Sequence, residues 1–155
     1  MGRTRLALGK ARRAERSAKE TAEPMSASAI TVEVAAGELL DKITILEIKE
    51  AKFTDATKLA NVRAELETLR AARDANLPST PEIERAVDGL REVNRQLWEI
   101  EDEIREHERQ KDFGDRFVEL ARAVYKTNDR RAELKREIND LTGSRLKEEK
   151  SYAAY

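Results

Sequence analysis

PEIERAVDGLREVNRQLWEIEDEIREHERQKDFGDRFVELARAVYKTNDRRAELKREINDLTG, residues 81–143, decides the fold. Thr80 just before it is an N-cap residue, Pro81 suits the first helical position, and Glu82 suits the first turn. Val87, Leu90, Val93, Leu97, Ile100 and Ile104 then recur at helical spacing, which predicts a helix to about Gln110. Asp112 and Gly114 mark a tight connection, with Asp112 able to cap the next helix. Phe117, Leu120, Val124, Leu134, Ile138 and Leu141 form a second stripe, which predicts a helix over 113–142. Gly143 is placed to close it in the left-handed conformation. Two long helices with a short link form an antiparallel hairpin.

Upstream, GELLDKITILEIKEAKF (37–53) predicts another helix, and TDAT (54–57) supplies a turn and an N-cap. Leu59, Val62, Leu66 and Leu69 repeat at a 3-4-3 spacing, so a further helix runs over about 57–75. The expected fold is therefore all-α: two antiparallel helical hairpins, four helices, with coiled-coil-like packing. ITVEV (30–34) alternates apolar and polar, a short strand signal. One strand cannot stand alone, so it is an extended lead-in or pairs with a partner chain.

At 155 residues the chain suits a single domain, and 39% charged against 5% aromatic residues suits long helices with solvated faces. The absence of cysteine excludes disulfides, zinc–thiolate sites and cysteine nucleophiles. No run of about 18 apolar residues exists to span a membrane. Residues 1–24 carry seven basic and three acidic residues, while the whole chain has a net charge of −1. Residues 1–29 read as a flexible basic tail, with Met25 as an alternative coding start, and 30–155 as the helical domain. Nucleic-acid binding is expected only through residues 3–19, because the rest of the chain is net acidic.

The informative polar residues are those inside apolar stripes. At about 100° per residue, Glu47 falls among Leu39, Leu40, Ile43 and Leu46. Asp41, Lys42, Lys49 and Lys52 gather on the opposite flank, read as a wet edge. Ile45 and Ile48 lie off the main face, so this helix has neighbours on more than one side. If the hairpin turns at 111–114, Asn94 lies level with Arg131, Trp98 near Thr127, and Glu101 about a turn from Asn128. The expectation is a polar layer of Asn94, Glu101, Asn128 and Arg131. Such a layer commonly fixes register in helix bundles. The sharper reading is a ligand site, with Arg131 and Asn128 holding an anionic or sugar-like group against Trp98, and Glu47 as a further candidate. His107 has no Ser, Cys or metal-ligand partner at useful spacing, and no nucleotide-binding or metalloprotease motif is present. No cofactor or metal is expected. The tail SRLKEEKSYAAY (144–155) either docks on the bundle or engages a partner.

GELLDKITILEIK, KLANVRAELETL, YKTNDRRAELKREIN and EEKSYA together resemble an uncharacterised bacterial family of short helical proteins, DUF6165-like, over about residues 30–153. The resemblance implies two motif groups: Gly37, Glu38, Asp41, Lys42, Thr44, Glu47 and Lys49, and then Asn128, Asp129 and Arg131. It also implies a link to glycosyl transfer and surface polysaccharide assembly. The functional expectation is a non-enzymatic, cytoplasmic module for homo-oligomerisation or binding of a protein partner, accessory to those pathways. The alternative is a small all-α enzyme or binder acting on an anionic or sugar-phosphate ligand in the polar layer.

Overall fold

The computed structural model describes residues 29–151, in two units divided between Val32 and Glu33. In the first unit Ile30 and Val32 are exposed. The second holds four helices: α1 (Ala36–Lys52), α2 (Ala56–Asn76), α3 (Pro81–Gln110) and α4 (Asp115–Leu141). The strand signal at 30–34 yields no β ladder among the described residues, and 29–35 carry neither helix nor strand. The basic tail up to residue 28, including the arm at 3–19, and Tyr152 and Tyr155 lie outside the described residues.

The helix starts reflect local chemistry. Asp55 accepts from Lys58 N at 2.8 Å and caps α2, and Thr80 accepts from Ile83 N ahead of Pro81. The α3/α4 turn differs from expectation. Lys111, not a glycine, takes the left-handed conformation (φ 58°), and Asp112 accepts from Gly114 N at 3.2 Å in a local turn. Asp112 is thereby spent before the helix begins, so α4 starts at Asp115 rather than Phe113. Phe113 instead meets Phe117 edge-on, with ring centroids 5.2 Å apart. At the far end Gly143 closes α4 at φ 65°.

α3 and α4 form the long antiparallel hairpin, and α1 and α2 form the second. The two do not pack as equals. α1 touches all three other helices, whereas α2 approaches α1 alone among them. One core joins them: Leu40, Ile43 and Leu46 of α1, Val62 and Leu66 of α2, Ile83, Val87, Leu90 and Val93 of α3, and Leu134 and Ile138 of α4. Each such side chain contributes about 1.5–3 kcal/mol on burial. The core stops near Leu97. Beyond it α3 and α4 project as a two-helix arm in which, among the described residues, only Leu120 is buried.

α1 meets α4 closely at its N-terminus. Gly37 N donates to Asn139 Oδ1 at 2.7 Å. A Cβ on Gly37 would lie 2.9 Å from Lys135 Cα and closer still to the Lys135 carbonyl oxygen. Only glycine admits this approach.

Candidate functional site

The centre of the polar layer is Asp41, which is 1% exposed. Its carboxylate accepts from Arg131 Nε at 2.8 Å, Arg131 Nη2 at 2.5 Å and Asn94 Nδ2 at 2.8 Å. Asn94 Nδ2 also donates to Thr44 Oγ1 at 2.9 Å, and Thr44 Oγ1 donates to the Asp41 carbonyl at 2.8 Å. Arg131 Nη1 reaches Asn128 Oδ1 at 3.4 Å. Three helices are thus tied by one buried carboxylate: α1 through Asp41 and Thr44, α3 through Asn94, α4 through Asn128 and Arg131. The Asp41 hydrogen bond, acting against burial, holds the Arg131 guanidinium above its ordinary pKa.

The wet-edge reading of Asp41 is overturned. The flank that carries Asp41 faces α4, because α1 is covered on three sides. A signal was available: at about 100° per residue Ile45 and Ile48 share the flank of Asp41. Asn94 and Arg131 do come together, but through Asp41 rather than across the hairpin alone. Glu101 lies outside the layer, exposed and paired with Arg105 on its own helix.

Glu47 forms a separate cluster. Arg70 Nη2 of α2 and Arg91 Nε of α3 donate to its two oxygens at 2.9 and 3.0 Å. Burial pushes the Glu47 carboxyl up, but the two arginines outweigh it and hold it below the usual carboxylate range. Trp98 also stands apart from Arg131. It lies 6.4 Å from Phe53 between ring centroids, with Lys52 Nζ 5.7 Å from its ring centre. Lys42 pairs with Glu65, and Lys49 is half-buried with its carbonyl accepting from Phe53 N. His107 Nδ1 lies 3.2 Å from Asp112 Oδ2, out of line for a hydrogen bond.

Sequence reasoning placed no weight on Lys135 or Asn139, both buried. Lys135 Nζ sits between Glu38 Oε2 at 2.7 Å and Glu148 Oε2 at 2.9 Å. Burial lowers its pKa, and the two carboxylates reverse that and raise it. Asn139 Nδ2 has no partner among the described residues. A shallow cleft of about 210 Å³ lies over Leu40, Ile43, Ile83 and Val87, rimmed by Arg73, Asp74, Glu84 and Arg91. It lies below the roughly 300–1,000 Å³ usual for pockets that hold drug-sized ligands.

No group of three or more His, Cys, Asp or Glu suited to a metal ion occurs among the described residues. None of the described helices is long and apolar enough to cross a membrane. The main polar network is mutually satisfied. It ties α1 to the α3/α4 hairpin through a partly desolvated charge pair. Neither a curated protein nor a solved structure matches the chain. Residues 30–155, which include all four described helices and the whole of this network, match the model of a family of unknown function, DUF6165, and the chain belongs to that family.

Proposed function

We propose that this chain is a non-enzymatic helical module that associates with a second copy of itself through the projecting arm of α3 and α4. One observation carries the reading. Among the described residues no third helix covers the arm beyond Leu97, so Ile100, Ile104, Phe117 and Val124 stay half-buried, and Phe113 and Val118 are 51% and 42% exposed. A two-helix seam covers only one side of its apolar stripe, and two arms packed together complete a four-helix bundle. Within this reading the module is cytoplasmic and serves glycosyl transfer or surface polysaccharide assembly, the context that the resemblance implies.

The alternative, an anionic or sugar-phosphate ligand held by Arg131 and Asn128 against Trp98, has weaker support. Arg131 already spends Nε and Nη2 on Asp41, and Trp98 packs with Phe53. Native mass spectrometry and light scattering on the full chain test the proposal. The expected result is a dimer or larger assembly that Val118→Glu with Phe113→Glu converts to a folded monomer. A wild-type chain that stays monomeric at every concentration overturns it.

A further inference from the structure

After Gly143 the chain turns back along α4. Ser144 N donates to the Asn139 carbonyl at 2.8 Å, which fixes the reversal. Among the described residues, a series of ion pairs then attaches 145–150 to the body. Arg145 pairs with Glu33, Lys147 with Asp140 at 2.8 Å, Glu148 with Lys135 at 2.9 Å, and Lys150 with Asp129 at 2.6 Å. Arg136 Nε adds a long contact to the Glu148 carbonyl at 3.4 Å. Leu146 is half-buried, and no apolar residue of 144–151 is buried.

Contacts of this kind are weak and screened by salt. Ordering each residue of the tail has an entropic cost of comparable size. These ion pairs therefore hold 145–150 less firmly than the shared core holds the helices.

What the tail covers is specific. Lys135 is buried in the body of α4, yet its ammonium faces out of the core toward Glu38 and Glu148. Glu38 stays on α1 whether or not the tail is docked. Glu148 leaves with the tail. Arg131 lies one turn before Lys135 on the same side of α4. Lifting the tail removes one negative charge from Lys135, one helical turn from Arg131, with Glu38 on Lys135 and Asp41 on Arg131 as the remaining anions. We infer that the tail is a latch over an oxyanion site: the Glu148 carboxylate occupies, on Lys135 and beside Arg131, the place taken by the anionic group of a ligand when the tail lifts. The site takes one carboxylate- or phosphate-type group, since one charge is what Glu148 supplies. It lies apart from the projecting arm and does not rest on self-association.

The test uses the full chain and inorganic phosphate at constant ionic strength, read by amide chemical shifts at 135–139 and by hydrogen exchange over 145–150. In Glu148→Gln the tail amides are expected to lose protection, and phosphate to give saturable shifts at these positions. The wild type should need about fivefold more phosphate, as expected for the loss of one weak ion pair. Lys135→Gln added to Glu148→Gln should abolish the response, with circular dichroism confirming the helices. A tail that stays protected in Glu148→Gln overturns the latch. Equal phosphate responses in wild type and Glu148→Gln, or a response that survives Lys135→Gln, overturn the site.

Discussion

Arg131 on α4 grips Asp41 on α1 with two nitrogens, across 90 positions of sequence. The two are not equivalent in the gap each would leave. The Asp41 side chain is 2% exposed, whereas that of Arg131 is 28% exposed and reaches water at one end. Arg131→Ala strands a buried carboxylate and should cost about 3–5 kcal/mol. Asp41→Ala leaves a guanidinium that can hydrate and should cost about 1–3 kcal/mol. Urea unfolding of both variants checks the order, and equal losses would count against the asymmetry.

Gly37 and Asn139 form one joint and should fail together. Gly37→Ala gains helix propensity but forces α1 off the Lys135 backbone, for a net loss of about 1–3 kcal/mol. Asn139→Ala removes the acceptor for Gly37 N, at a cost of about 1–3 kcal/mol. The double variant should lose less than the two losses added, because both act on the same contact. A fully additive result would show that the contact is not shared.

Glu47 should shape the acid side of the stability curve. Its folded pKa lies below the ordinary 4.5 despite burial, because Arg70 and Arg91 both donate to it. The unfolded chain then binds the proton more readily, so the contribution is complete above about 4.5 and is lost as the pH falls through the folded value. Glu47→Gln should flatten this decline in a series of thermal melts taken from neutral pH downward. An unchanged acid slope would mean that the two arginines do not hold the carboxylate in solution.

Trp98 is the one tryptophan of the chain. Phe53 shields it, so Phe53→Ala should move its emission to the red while the helices persist. Lys52→Ala removes only the cation near the ring and should cost less than about 1 kcal/mol. A blue shift in Phe53→Ala would place the indole elsewhere.

Much of the fold is legible in the sequence because helix signals are local. Thr80–Pro81, the α3 and α4 stripes, and Gly143 mark their elements with little help from the rest of the chain. The start of α4 is less so, because Asp112 can serve either a turn or a cap and only the path of the chain decides. Asp41 is harder again. A charged residue beside Lys42 and Lys49 looks solvated until a third helix is known to cover it, and the arginine that pairs with it lies 90 positions away. Lys135 and Asn139 sit among charged neighbours in KREIND, and nothing local separates a buried lysine from an exposed one there. Glu101 shows the opposite failure: its spacing suits the layer, but the core ends before reaching it.

The position of α1 at the junction of all the other helices has a consequence for synthesis. Of the four described helices α1 leaves the ribosome first, and α3 and α4, which flank it, leave after α2. Until Arg131 emerges, α1 can pack only with α2 and α3, which leaves its α4-facing flank unfilled and the Asp41 carboxylate without its arginine. Closure of the core is therefore a late event, gated by the arrival of α4, and a nascent chain stalled before that point presents Leu40, Ile43 and Leu46 to whatever binds apolar helices.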